Sequence, residues 1–513
     1  MSNLKTGALV GAAMIAAIAG QAAAQCQTST GADVIVGRII GASGANSQMQ
    51  NYSVSGTGAA TLDAVSLGTT SCNIGNAKLM WDAFPSANHP AIGGNMYKFK
   101  AVNGAGRFEQ IGMSWLKHGF TALAQSECCT CQPPSEGGSR LGIGCSDPYT
   151  GSRNGGQGSA GPRWQINAAT GVFPSGSSAN PTRTATNTDR RLEMLLSDLE
   201  VSSASVRYFG EAQYVSPDDA AAGNKNNNAS YIECSVAAGT AATGFNFSFL
   251  DATAGTGPNK TQRQKAAIEA WPLCEAGVTL TTVLVPSDGK FIVGSKATDL
   301  GGGIWHYEYA VYNMNSDRNG GSFSVPVAPG VTVTNIGFHD VTYRNGDATG
   351  NLGAGMSNTI NFSSTDWAAT VASGAITWTT ESEGTNNRAN AIRWGTTYNF
   401  RFDANVAPNL TGEATLGLWK AGSPASMPAV AQIPGTPVAN CAADLDSDGT
   451  FGNGGTPDGG VDINDLLYFL TAFENGSIAV DLDNDGDPAV GTPDGGVDIN
   501  DLLFFLAHFE GGC

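Results

Sequence analysis

The sequence predicts a mainly β chain that ends in a small all-α module of two loop–helix repeats. Three observations lead there. The body is low in charge (14%) and carries 68 glycines in 513 residues, with apolar residues in short runs broken by Gly, Asn and Asp. The chain closes with two near-copies of one unit, DLDSDG then TPDGGVDINDLLYFLTAFE, and DLDNDG then TPDGGVDINDLLFFLAHFE. This tail, 441–513, has fifteen acids and no Lys or Arg; removing them from 44 acids against 26 bases leaves 29 against 26, so −15 of the −18 net charge lies here.

From the N-terminus, residues 1–24 read as a secretory signal: Lys5, the apolar stretch GALVGAAMIAAIAG, then Ala22-Ala23-Ala24 before Gln25. Cleavage is expected after Ala24. Gln25 is not the small residue that a lipid-attachment signal at Cys26 requires. No other stretch reaches eighteen apolar residues, so no transmembrane segment is expected after signal cleavage. Ten cysteines, an even number, point to disulfides in an exported chain. Proximity pairs Cys26 with Cys72 and Cys234 with Cys274. The CCTC run at 128–131, with Cys145, reads as disulfides in preference to a four-thiolate zinc site, because two of its cysteines are adjacent and the compartment is oxidising.

Residues 25–287 read as a β-rich domain with long Gly/Ser/Asn loops. Strand-like runs are ADVIVGRII (32–40) and ASVRYFGEAQYV (204–215); helix candidates are RRLEMLLSDLE (190–200) and TQRQKAAIEAW (261–271). Residues 134–188 read as loops laced by disulfides. Residues 288–420 contain repeated strands with no helix between them, which predicts an antiparallel β-sandwich. In HYEYAVYNM, Tyr307, Tyr309 and Val311 share one face, with His306, Glu308 and Ala310 on the other. Residues 421–440, with prolines at 424, 428, 434 and 437, read as a semi-stiff linker.

Carboxylates as dense as those of 441–513 repel one another unless a cation sits among them. Aspartates at alternate positions followed by Gly aim successive oxygens at one hard ion, and an acid at loop position 12 closes the shell from the next helix. Asp444, Asp446 and Asp448 before Gly449 fit positions 1, 3 and 5, and Asp481, Asp483 and Asp485 before Gly486 repeat them. Asp462 and Asp465, then Asp498 and Asp501, fit positions 9 and 12. These ten aspartates are the predicted ligands of an EF-hand-like Ca2+ pair. About nine or ten extra residues separate the loop halves relative to the standard loop. Asp458 and Asp494 therefore compete for position 5, although that register puts Gly454 and Thr456, or Val490 and Thr492, at positions 1 and 3. Each loop leads into a helix with an apolar stripe: Leu466, Phe469, Leu470 and Phe473, matched by Leu502, Phe505, Leu506 and Phe509. The stripes are expected to pack face to face. Cys441 and Cys513 are either a disulfide joining the module's ends or leave a free terminal thiol for covalent anchoring.

Two tandem loop–helix calcium units at the end of a secreted chain resemble a dockerin. The opening Cys441 and terminal Gly512-Cys513 resemble the GC-type dockerin domains of secreted bacterial proteins. The resemblance covers 441–513 only, and the loop insertions depart from the twelve-residue pattern. It implies calcium-dependent docking to a cohesin-like or other receptor protein, on a scaffold or cell surface. Residues 25–287 resemble secreted bacterial proteins of unknown function, which implies no chemistry.

The expected role is thus a secreted, surface-attached protein whose β-rich cargo is structural or binding. The acidic balance offers no basic patch to nucleic acid. The alternative is a dockerin-attached glycoside hydrolase acting on polysaccharide, which needs two carboxylates flanking a sugar. Glu109, Glu127, Asp147, Glu211, Glu308 and Asp340 are candidates, and no pair stands out, so no catalytic residue is assigned. Trp115, Trp305, Trp394 and Trp419 are sugar platforms or half-buried core. His118 and His339 are general bases or structural histidines. Ser114 lacks a GxSxG elbow, and no Gly-rich phosphate loop is present.

Overall fold

Runs in which every second residue is aromatic or β-branched bury one face only by pairing edge to edge and stacking on another layer. The computed structural model describes residues 26–40, 49–102, 104–118, 121–174, 186–251, 253, 255–344, 346–348, 361–435, 442–445, 461–483, 493 and 495–511. Strands dominate, and the chain separates into an N-terminal unit reaching residue 435 and a C-terminal unit made chiefly of 436–513.

The N-terminal unit contains a ten-stranded sheet. Its main path runs Phe245–Phe249, Ala229–Ala238, Val206–Val215, Ala91–Val102, Ala105–Met113, Leu192–Leu195, Leu62–Leu67 and Met49–Ser55, all antiparallel. The path nearly closes on itself. The Asn51 side-chain amide accepts from the Phe247 N–H (2.8 Å) and donates to the Phe247 carbonyl (2.9 Å), joining the two end strands. Met96, Tyr208, Ala212, Ile232 and Phe247 share one core inside this sheet. Their alternates Tyr97, Phe99, Phe108, Phe209 and Tyr231 belong to a second core on the outer face.

A two-layered sandwich covers that outer face. One layer is Thr279–Leu284, Lys290–Gly301, Ile304–Asn313, Thr396–Ala404 and Val333–His339; the other is Ala368–Ala372, Ala375–Thr379, Gly320–Pro326, Pro408–Leu418 and Ser426–Pro434. Tyr307, Tyr309, Phe400 and Phe402 meet Phe323, Ile376 and Trp378 between these layers. On the opposite face, Ile292, Ala310 and Tyr312 meet Tyr97, Phe108 and Trp271. Polar groups pin the same contact: the Glu211 carboxylate accepts from Tyr312 O–H (3.0 Å), Asn95 Nδ2 (2.8 Å) and Ala267 N–H (2.7 Å).

The mainly β class, the sandwich strands within 288–420, and the strands expected in 32–40 and 204–215 are all present. Other expectations are corrected. The boundary at 287/288 cuts a strand pair, since Thr279–Leu284 pairs with Lys290–Gly301, and one core spans both regions. The expected linker at 421–440 contains the strand Ser426–Pro434, which pairs with Pro408–Leu418. It lies at a sheet edge, where proline is tolerated, and Ala429, Ala431 and Ile433 alternate inward. RRLEMLLSDLE is no helix: Leu192–Leu195 is a strand followed by a 3-10 turn, Leu196–Asp198. Leu192 and Met194 fit a period of two and join the inner core. TQRQKAAIEAW reduces to a 3-10 turn at Ala267–Ala270, leading into the single helical turn Trp271–Cys274.

The cysteines pair as Cys26–Cys129, Cys72–Cys128 and Cys131–Cys145. The disulfide reading of CCTC holds, whereas the 26–72 and 234–274 pairings are wrong. Cys234 and Cys274 are free thiols. Strand parity explains this: Cys234 points into the inner core, while Cys274 packs on the outer one. Cys26 is engaged through its sulfur, which leaves none for a lipid. The signal stretch 1–24 and both Cys441 and Cys513 lie outside the described residues. No helix among the described residues is long and apolar enough to cross a membrane.

Candidate metal centre

In the C-terminal unit the sequence VDIND is a helix start written twice. Asp462 caps the helix Ile463–Glu474 by accepting from Asn464 N–H (2.7 Å), and Asp465 returns to the Asp462 N–H (2.8 Å). The second copy repeats this before the helix Ile499–Gly511: Asp498 accepts from Asn500 N–H and Asp501 from Asp498 N–H, both at 2.7 Å. The remaining oxygen of each N3 aspartate reaches the other half of its loop. Asp465 Oδ1 accepts from Leu445 N–H (2.6 Å); Asp501 Oδ1 accepts from Leu482 (2.6 Å) and Asp483 (3.0 Å). The halves that the insertions separate in sequence are therefore clamped together in space.

That clamp gathers acids. Carboxylate oxygens of Asp483, Asp498 and Asp501 lie within 4.8 Å of one another. Two oxygens bound to one calcium at about 2.4 Å stand no more than about 5 Å apart, so the spacing suits a shared hard cation. Asp481 stands beside them with Oδ2 on the Gly495 N–H (2.7 Å). Asp444, Asp465, Asp481, Asp483 and Asp501 are all buried, although 436–513 contains no Lys or Arg to balance them. Of the predicted ligands, Asp483, Asp498 and Asp501 come together; Asp462 is exposed at its cap; Asp446, Asp448 and Asp485, and the competitor residues Asp458 and Asp494, lie outside the described residues.

The two helices meet through Phe469 and Phe505, stacked at 4.3 Å. Leu466, Phe473, Leu502, Leu506 and Phe509 surround them as expected. Leu470 is instead 39% exposed, and Ala472 takes its place inside, because the inner face of the first helix is centred on Phe469. Ile463 and Leu467, and their counterparts Ile499 and Leu503, are also exposed.

The candidate acids of the N-terminal unit are all engaged. Glu127 pairs with Arg38 (2.9 Å), Asp147 accepts from Leu123 N–H (2.9 Å), Asp340 from the Asn390 amide, and Glu211 forms the pin described above. Arg107 draws Glu109 and Glu308 into one cluster: it grips Glu308 at 3.0 and 3.2 Å and stands 3.8 Å from Glu109. Burial pushes Glu109 up, but His339, Lys98 and Arg107 outweigh it and hold the carboxyl below its ordinary value. That is the wrong direction for a glycosidase acid. His118 is buried against His89, its pKa pushed down to about 3, too low for a general base near neutrality. Trp115, Trp394 and Trp419 are buried; Trp115 donates to Asp347 (2.7 Å) and Trp419 to the Glu381 carbonyl (2.8 Å).

Sequence reading missed the His306–Asp403 pair. Its Nδ1 lies 2.6 Å from Asp403 and its Nε2 3.3 Å from Glu308. The two residues sit opposite each other on adjacent strands, and the alternation in YNFRFDA was the available signal. Burial lowers the His306 pKa, but Glu308 and Asp403 more than reverse this, so it lies above the ordinary value. A histidine raised on folding stabilises fully below its unfolded pKa of about 6.5, and the gain fades as pH rises through the folded pKa. Denaturant melts should therefore show His306→Gln costing stability at pH 5.5 and progressively less by pH 9. A cost independent of pH would mean that His306 is not held as the cation.

No protein-family model matches this chain, and no curated protein is significantly similar to it.

Proposed function

We propose that the C-terminal unit is a dockerin-like calcium module, and that it attaches a secreted, β-rich structural or binding protein to a receptor on a cell surface or scaffold. One observation carries the reading: in both copies the acid expected at loop position 12 bridges the two halves of its loop, and in the second copy this brings Asp483, Asp498 and Asp501 within reach of one ion. Buried carboxylates with no basic side chain in their own segment need a counter-charge, and an oxygen-only donor set suits calcium over zinc or copper. The exposed Ile463–Leu467 and Ile499–Leu503 pairs occupy matched positions in the two copies, which suits a docking face. Three disulfides fit an oxidising compartment.

Calorimetry of the full chain should record one calcium ion per copy, with magnesium a poor substitute. Calcium should also restore capture by envelope extract that a chelator abolishes. No binding heat, or identical capture with and without chelator, would overturn the reading.

A further inference from the structure

The N-terminal unit holds a guanidinium that none of its neighbouring acids takes up. Glu308 is gripped by Arg107, Asp403 by His306 (2.6 Å) and the Asn335 amide, Glu109 by Lys98 (3.0 Å) and Glu200 by Lys100 (2.6 Å). Arg401 lies across the strand pair from Glu308, yet it makes no hydrogen bond or ion pair among the described residues, and its Nη1 is buried. The sheet is shaped around it. Gly337 is its neighbour on the next strand, and a Cβ there would run into the guanidinium carbon.

Arg401 borders a cavity of about 270 Å³, close to the lower end of small-ligand sites at about 300 Å³. Two hairpin tips contribute to the lining, one through Val102 and Ala105 and the other through Leu300. Val102 and Leu300 are exposed apolar side chains, whereas His306, Glu308 and Asp403 supply polar atoms deeper in. The cleft thus combines an unclaimed planar fork, ion pairs with lone pairs to spare, and an apolar rim.

We propose that this cleft binds a small hydroxylated carboxylate, a uronate-like acidic sugar, with Arg401 as its anchor. A guanidinium matches a carboxylate through two parallel hydrogen bonds, which a point charge cannot do. Glu308 and Asp403 accept from the ligand's hydroxyls, and Val102 and Leu300 meet its C–H face. This assignment is independent of the calcium reading, since every residue it uses lies in the N-terminal unit.

The test is titration of the full chain with sodium glucuronate, a galacturonate trimer, glucose and sodium sulfate, followed by calorimetry. Glucuronate should bind the native chain roughly tenfold more tightly than glucose or sulfate. Arg401→Gln should weaken that binding at least about tenfold without lowering the melting temperature, because Arg401 makes no hydrogen bond or ion pair among the described residues. Gly337→Ala keeps the charge but displaces the fork, and should weaken binding similarly. A tighter trimer assigns the site to polymer-borne uronate; equal affinity per site assigns it to the free acid. Equal binding by Arg401→Gln, sulfate binding as tight as glucuronate, or no saturation by about 10 mM of either uronate overturns the proposal.

Discussion

Changing Asp465 and Asp501 together to alanine should unfold the C-terminal unit at temperatures where the N-terminal unit stays native. Each carboxylate accepts backbone N–H groups from both halves of its loop, two in the first copy and three in the second. Hydrogen bonds to a charged acceptor contribute about 1.5–3 kcal/mol each. Even the low end of that sum rivals the whole stability of a small domain, roughly 5 kcal/mol. The two units report separately, because all nine tryptophans lie before residue 420 and none in 436–513. Tryptophan fluorescence should therefore melt as in the native chain, while the helical circular dichroism of the tail is lost.

The clamp and the proposed ion can be told apart by a second substitution. Asp483→Asn leaves the Asp483 N–H on Asp501 intact but removes one of the gathered charges. With chelator present, this variant should be at least as stable as the native chain, since one of three like charges within 4.8 Å of one another is gone. With calcium present it should be less stable if the proposed ion binds there, since one proposed ligand is gone. Asp465→Ala and Asp501→Ala should lose stability under both conditions. An Asp483→Asn variant that responds to calcium as the native chain does would remove Asp483 from the shell and weaken the metal reading as a whole.

Alternation in IWHYEYAVYNM was legible, and Tyr307, Tyr309 and Val311 do face the sandwich core. What no local pattern could state is that Ala310 and Tyr312, on the opposite face, are buried as well, because a second sheet from far upstream lies over them. The same non-local layer sets the surroundings of Arg401, whose neighbours Arg107 and Glu109 are almost three hundred positions away along the chain. The proline-rich stretch misled in the opposite sense. Prolines signal an extended tether, yet an edge strand is also extended, and small alternating Ala429 and Ala431 were the quieter evidence for burial. In the tail, the two helix starts at VDIND were readable because the repeat wrote them twice. The outward turn of Leu470 was not, because a helix stripe of four residues leaves its rotation open by about one position.

Glu211→Ala should strongly destabilise the N-terminal unit. The side chain is fully buried where the ten-stranded sheet meets the sandwich, and its removal leaves the Ala267 N–H without an acceptor and the Tyr312 hydroxyl and Asn95 Nδ2 with only their longer contacts to Gln213 (3.3 Å) and Tyr97 (3.5 Å). An unsatisfied buried donor costs about 1–3 kcal/mol, so Ala267 alone accounts for about 1–3 kcal/mol and the weakened Tyr312 and Asn95 bonds add to it. Glu211→Gln keeps one acceptor oxygen but turns an NH2 toward another donor, so it should fall between the native chain and the alanine variant. The pH dependence gives the sharper test. Burial raises the Glu211 pKa, with Ala267, Asn95, Tyr312 and Arg163 opposing it. An acid raised on folding stabilises below its unfolded value, about 4.3, and that gain is lost as pH climbs through the folded value. Glutamine does not titrate. The stability gap between native chain and Glu211→Gln, read from tryptophan fluorescence in urea, should therefore narrow steadily from pH 5 to pH 9. A gap that widens with pH would show that the carboxylate is ionised and held by charge, with Arg163 outweighing burial, and would reverse the assignment of what joins the two layers.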